Sequence, residues 1–432
     1  MAELLGFVAT AAVVTGLIHF YLWRRLVGDT TRPGRWRRAG GLAMLGLALL
    51  VPVTLLFARP GRAFLAWPGY LWLAVMFYLL VTLLLLEVPL LAARLWLRRR
   101  SGRTAAAPAA QTVVAASLPP IPAPISAASR PTPSKLADRR PVDHPTSTEL
   151  GGVDPSRRLL LARGAAIFAG LTAAGVTGLG VRTALGPPTL NRIQIPLSRL
   201  DRRLDGFRIA LVADIHLGPL AGRAHTERVA AAINRLDADI VAVVGDLVDG
   251  SVAELGPAAA PLRDVHSRLG AYFVTGNHEY YSGVDEWVAE VRRLGLRPLR
   301  NERLEITSRG GVFELAGVDD PTGARLGSGG GPDYDQALGG RDPGRAVVLL
   351  AHQPVQAHEA AKRGVDLQLS GHTHGGQIVP FNLVVALQQP VISGYGVVDG
   401  MKVYVTNGAG FWGPPVRVGA PPQVTLVQLR AL

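Results

Sequence analysis

The stretch Phe207-Arg208-Ile209-Ala210-Leu211-Val212-Ala213-Asp214-Ile215-His216 decides how the rest of the chain is read. An apolar run of strand length, rich in residues that favour extended backbone, stops abruptly at Asp-x-His. Residues 207–213 therefore read as a buried strand with a polar cluster at its C-terminal end. Outward from it, residues 226–236 follow the spacing of an amphipathic helix and 239–244 form a second apolar run. A third strand is expected over 271–275, followed by a helix over 284–294. Later strands are expected at 312–317, 346–351, 366–369, 402–406 and 423–429. Strands alternating with helices give an α/β class, and such sheets place their sites beyond the strands' C-terminal ends.

Polar groups gather at just those ends. Asp214 and His216 follow the first strand, Gly245-Asp246-Leu247-Val248-Asp249 the second, and Gly276-Asn277-His278-Glu279 the third. His352 follows the run ending at Ala351, and Gly371-His372-Thr373-His374 the run ending at Leu369. In extended backbone, residues two apart face one way, so Asp214 with His216, and His372 with His374, can each offer two ligands to one cavity. Carboxylate, imidazole and amide oxygen without sulfur suit Mn, Fe or Zn. The seven groups Asp214, His216, Asp246, Asn277, His352, His372 and His374 exceed the needs of one ion. Two ions about 3.5–4 Å apart, sharing a carboxylate, would use them all, a spacing suited to gripping phosphate oxygens and generating a hydroxide nucleophile.

The ordered set Asp-x-His, Gly-Asp-x-x-Asp, Gly-Asn-His-Glu, a lone His and Gly-His-x-His resembles the signature of the calcineurin-like metallophosphoesterases, over residues 195–432. The resemblance implies two mixed β-sheets packed face to face with helices outside. It assigns Asp214, His216, Asp246 and His374 to one ion and Asp246, Asn277, His352 and His372 to the other, with Asp246 as the bridge. It implies that His278 stands over the scissile phosphate as acid or transition-state stabiliser, and that Asp249 orients an imidazole, that of His278. Three further segments, Gly317-Val318-Asp319-Asp320-Pro321, His374-Gly375-Gly376-Gln377 and 407–415, resemble the membrane-anchored, twin-arginine-exported bacterial branch of that family.

The N-terminal half has a different character. Apolar runs at 4–23, 40–57 and 70–97 approach or exceed the roughly 20 residues that cross a bilayer core. Residues 1–97 thus form an all-α transmembrane region of three helices, and 98–157 read as a disordered Ala/Pro/Ser-rich linker. Residues 158–185 form a fourth transmembrane helix or signal anchor, preceded by the twin-arginine-like Ser156-Arg157-Arg158-Leu159-Leu160-Leu161. The catalytic domain is 190–432. The net charge of +13 is a property of the membrane half: residues 1–190 carry +14 and the remainder −1, so no nucleic-acid partner is expected. With Arg24, Arg25, Arg32, Arg35, Arg37 and Arg38 in the first loop against Arg59 and Arg62 in the second, the positive-inside rule places residues beyond 185 on the periplasmic or outer face. The chain has no cysteine, which excludes disulfides and thiolate metal sites.

The reading is a multi-pass membrane phosphoesterase acting on monoesters or diesters, lipid-linked substrates included, with membrane lipids as its surroundings. The alternatives are a transport or sensing protein with a regulatory phosphoesterase domain, and a non-catalytic binding module. Glu87, the one charge well inside an apolar run, reads as a carboxyl paired within the bundle. Asp319 and Asp320 read as turn structure, and Arg417 as either a phosphate contact or a surface residue. His225, His266 and His358 read as solvent or interface histidines on helices, and 323–340 as a mobile lid or a disordered insertion.

Overall fold

A computed structural model describes residues 2–58, 63–104, 155–328 and 330–432. Most of the expected linker, and the loop carrying Arg59 and Arg62, lie outside these. The chain opens with helices α1 (Ala2–Trp23), α2 (Arg35–Phe57), α3 (Ala63–Thr104) and α4 (Pro155–Leu185). Among the described residues, three segments are long and apolar enough to cross a membrane: Arg35–Phe57, Ala66–Ala93 and Arg158–Leu185. α3 continues through Arg98-Arg99-Arg100 to Thr104, so the helix runs past the point where the linker was expected to begin. Arginine is a good helix former, and nothing there breaks the ladder. The helices pack closely where small residues allow: a Cβ on Gly69 of α3 would collide with the Thr54 side chain of α2. Glu87 is paired, 3.0 Å from Arg25 and accepting a 2.9 Å hydrogen bond from the Tyr21 hydroxyl.

The remainder forms two six-stranded sheets. The first holds β1 (Thr189–Leu197), β2 (Arg208–Val212), β3 (Ile240–Val244), β4 (Ala271–Val274) and β5 (Leu296–Pro298). The second holds β6 (Glu302–Ser308), β7 (Gly311–Gly317), β8 (Val347–Leu350), β9 (Leu367–Ser370), β10 (Gly394–Val398) and β11 (Met401–Val405). The last strand, β12 (Gln423–Ala431), returns to the first sheet. The strand orders are β1-β12-β2-β3-β4-β5 and β10-β11-β9-β8-β7-β6. β2 through β5 run parallel, as do β7, β8, β9 and β11, while β12–β2, β6–β7 and β10–β11 are antiparallel pairs. This is the sandwich of two mixed sheets flanked by helices that was expected.

Ile240-Val241-Ala242-Val243-Val244 of β3 is buried at every position because both its faces are covered. Inner-face residues such as Ile209, Leu211, Phe313, Leu315, Leu350 and Leu369 fill the space between the sheets. The outer face of the first sheet packs on helices Arg223–Asn234 and Val284–Arg293. Four strands were not expected: β1, β5, β6 and β10. β1 and β10 are edge strands and largely exposed, β6 is exposed or half-buried at most positions, and β5 has only three residues. None carries the continuous apolar run that marks a central strand. The segment expected as a lid or disordered insertion instead holds helices Thr322–Leu326 and Tyr334–Leu338. Tyr334, Ala337 and Leu338 pack into the core beneath the second sheet's outer face, so apolar anchors outweigh the glycines around them.

Trp287 is fully buried in the outer helical layer, and its indole N–H donates a 2.8 Å bond to the Gly250 carbonyl, next to Asp249. Trp287→Ala is expected to cost roughly 3–5 kcal/mol, read as a fall in the apparent melting temperature of about 10 °C or more. A shift within a degree or two of wild type would contradict this packing.

Candidate metal centre

Strand ends from both sheets converge on one cavity. Asp214 and His216 follow β2, Asp246 and Asp249 follow β3, and Asn277 and His278 open the helix Asn277–Ser282 after β4. From the second sheet, His352 follows β8, while His372 and His374 follow β9. Asp214, His216, Asp246, Asn277, His352 and His374 are all buried. The backbone is strained here: Asp214 (φ 53°), His216 (49°), Asp246 (54°), His372 (71°) and His374 (53°) lie in the left-handed region. They are five of only ten non-glycine residues with positive φ among those described. Such conformations persist only where the surroundings over-determine them, and they cluster at working sites.

Asp246 stands at the middle. Its Oδ2 lies 3.1 Å from His352 Nε2, 3.7 Å from His216 Nε2 and 4.0 Å from His278 Nε2. On one side Asp214, His216 and His374 form a trio able to hold a cation, with His374 Nε2 3.7 Å from Asp214 Oδ1. On the other, Asp246, His352 and His372 form a second trio, and Asn277 Oδ1 lies 3.0 Å from His372 Nδ1.

These groups fit cations on physical grounds. His216 Nδ1 lies 3.1 and 3.2 Å from the two Asp249 oxygens, which can only accept, so its Nε2 turns a lone pair inward. That atom sits 2.9 Å from His374 Nε2, so the two ring nitrogens can share a proton or, when one is bound, a cation. His352 Nδ1 donates to the Val244 carbonyl at 2.8 Å, which turns its buried Nε2 inward toward Asp246 Oδ2, 3.1 Å away. Burial, reinforced by the Asp246 charge, pushes the Asp214 carboxyl up to about 6 despite opposing pulls from His352 and His216. Burial also acts to raise Asp246, but His352, His278 and His216 hold it well below the usual range, so it stays charged. Buried carboxylates and bare imidazoles without sulfur match hard to borderline divalent ions.

Residues 207–376 match the family model described as calcineurin-like phosphoesterase. An uncharacterized metallophosphoesterase of Aquifex aeolicus is 36% identical over 226 residues, covering 52% of this chain and 85% of its own length. One from Helicobacter pylori is 36% identical over 277 residues, 64% of this chain and 73% of its own. The chain belongs to the calcineurin-like metallophosphoesterase family. A bovine relative called transmembrane protein with metallophosphoesterase domain is 40% identical over 293 residues; the match spans 65% of each chain.

Within this metallophosphoesterase domain, Asp249 does more than expected. It accepts from His278 Nδ1 at 2.6 Å as well as from His216, so it orients two imidazoles. Burial pulls His278 down, but the carboxylates of Asp246, Asp249 and Glu279 outweigh it and lift the imidazole to about 9. Arg417 is neither a surface residue nor a phosphate contact. It is 1% exposed and donates to the carbonyls of His374, Asn407 and Gly410, with its Nη2 3.1 Å from His374 Nδ1. It clamps the loop that carries His374. His225 is buried rather than at solvent, while His266 lies in a loop and the half-exposed His358 pairs with Asp399 at 2.7 Å. Asp319 and Asp320 are buried structural groups: Asp319 pairs with Arg300, and Asp320 accepts from Gln353 at 2.9 and 3.0 Å.

Sequence reasoning assigned no role to Glu279. Its carboxylate, fully buried, accepts from the backbone N–H groups of Gly276 (2.6 Å), Leu247 (2.7 Å) and Asp246 (3.0 Å). It therefore fixes the Asp246 turn from behind. Its place as fourth residue of Gly276-Asn277-His278-Glu279, where a helix-capping acid sits, was the available signal. Glu279→Ala is expected to leave three buried donors unpaired at about 1–3 kcal/mol each. Thermal unfolding should show a clear loss of stability and titration a weaker affinity for Mn; a near-wild-type protein would contradict this role.

Proposed function

We propose that this chain is a membrane-anchored, binuclear metal-dependent hydrolase of phosphomonoesters or phosphodiesters. The observation that carries the reading is Asp246, buried and charged between two trios of ligands from different sheets. Asp214, His216, Asp246 and His374 would hold one divalent ion, and Asp246, Asn277, His352 and His372 the other, with Mn, Fe or Zn as candidates. Bound there, the pair would supply Lewis acidity toward phosphate oxygens and lower the pKa of water.

The remaining work falls to side chains. His278, held at Nδ1 by Asp249, presents Nε2 to the same cavity and can hold a proton for the leaving oxygen. Tyr281 and Trp412 pack edge-on to His278, with ring centroids 5.5 and 6.0 Å away, and limit its motion and its access to water. Asp249 keeps the rings of His278 and His216 in one tautomer each. The transport or sensing reading gains no observation, because Glu87 is already tied up by Arg25 and Tyr21.

Anchoring follows from the apolar helices, and the arginine-rich first loop argues for a domain outside the cytoplasm, the pair Arg157-Arg158 in the first turn of α4 serving as an export signal. A periplasm-dependent reporter fused after Leu432 is expected to be active; activity of a cytoplasm-dependent one instead would reverse the orientation.

Metal-stripped full chain in detergent is expected to regain hydrolysis of an aryl phosphodiester or monoester on addition of Mn, Zn or Fe. Asp246→Ala should lose both turnover and tight metal binding. His278→Ala should keep its metal while kcat falls roughly 100- to 10,000-fold. Undiminished turnover in Asp246→Ala would sink the proposal.

A further inference from the structure

The cavity that holds Asp246, Asn277, His278, His372 and His374 does not end at the polar groups. It is one cavity of about 740 Å³ that is also lined by Leu73, Met76 and Phe77 of α3 and by Phe381 and Val384. Leu73, Met76 and Phe77 belong to Ala66–Ala93, a segment long and apolar enough to cross a membrane. Phe77 meets Phe381 edge-on, with ring centroids 6.5 Å apart, so the short helix Asn382–Val385 is seated directly against α3. Around that contact the surface is apolar: Leu383 is 67% exposed and Leu387 85%. Large apolar groups are left bare in such a patch when something other than water covers them.

Composition narrows the occupant. No Lys or Arg lines the groove, so beyond the metal centre it offers no cation for the further phosphates of a nucleotide. Its polar end is the proposed phosphate site, and its apolar end is the side of α3 within a segment long and apolar enough to cross a membrane. The volume lies within the range of small-ligand pockets, roughly 300–1,000 Å³.

We infer that the substrate is a membrane phospholipid, its phosphoester at the metal centre and an acyl chain lying between α3 and the segment 381–388. This rests on the phosphoesterase reading of the site. In the reaction a water oxygen joins phosphorus as the P–O bond to the alcohol breaks, and the alcohol oxygen leaves with a proton. The exposed apolar side chains of Phe381, Leu383, Val384 and Leu387, beside α3, would let the lipid enter the groove sideways without crossing water.

The test uses the full metal-loaded chain in mixed micelles. The probes are dioleoyl and dihexanoyl forms of phosphatidate and phosphatidylglycerol, with bis(para-nitrophenyl) phosphate as the chain-free ester. The long-chain lipid of the preferred headgroup is expected to exceed its short-chain form in kcat/KM by roughly 100-fold, since the added methylenes are buried on binding. Val384→Asp, which puts a charge at a half-exposed position of the groove wall, is expected to lower the ratio of long-chain to aryl-ester turnover by roughly tenfold or more. A phosphatidate with a photoreactive acyl chain should label peptides containing residues 73–77 and 381–388, whether or not turnover occurs. Equal rates for long and short chains, with aryl-ester hydrolysis intact and labelling elsewhere, would overturn the lipid inference and leave the phosphoesterase reading standing. Failure to hydrolyse any ester would overturn that reading, and this inference with it.

Discussion

A carboxylate withdrawn from water and surrounded by imidazoles has to be held in place from every side, and Asp246 is held in that way. Its backbone N–H is fixed by Glu279 at 3.0 Å, and its Oδ1 accepts the His278 N–H at 2.9 Å. Gly276 lies so close that a Cβ there would overlap Asp246 Oδ1, and Gly371 crowds Asp214 in the same way. The left-handed turns at Asp214 and Asp246 are held by this surrounding structure. Without a compensating cation, the charges gathered here would destabilise the fold. The site's geometry and the stability of the domain are therefore one problem.

The sandwich supplies that geometry. Parallel strands β2, β3 and β4 end beside β8 and β9 of the other sheet, so ligands far apart in sequence arrive at one point. His216 and His374 meet across 158 residues, and His352 Nδ1 reaches the last residue of β3. Arg417 joins this arrangement to the membrane helices: its side chain clamps the His374 loop, and its backbone N–H donates to Gly180 of α4 at 3.0 Å. The cavity around Asp246 also lies against α3, whose Leu73, Met76 and Phe77 line its apolar end.

Much of this could be read from the sequence, for an identifiable reason. Central parallel strands are apolar on both faces, so 207–213 and 239–244 stand out, and a strand end can be read from where apolar residues give way to Asp or His. Edge strands such as β1 and β10 give no such signal, because half of each faces water. Glu279 could be read only as a helix-capping acid, and Arg417 not at all, since the Asp246 turn and the carbonyls they hold are brought near only by the folded chain. The same holds for 323–340, where composition suggested disorder but three apolar side chains anchor the segment. The apolar helices were legible from composition alone, whereas their placement against the metal centre depends on contacts such as Phe77 with Phe381.

The account turns on whether Asp246 bridges two ions. Anomalous diffraction from crystals of the full chain grown with Mn tests this directly. It predicts two peaks, one among Asp214, His216 and His374 and one among Asn277, His352 and His372, both touching the Asp246 carboxylate. A single peak, or two peaks of which only one contacts Asp246, would contradict it.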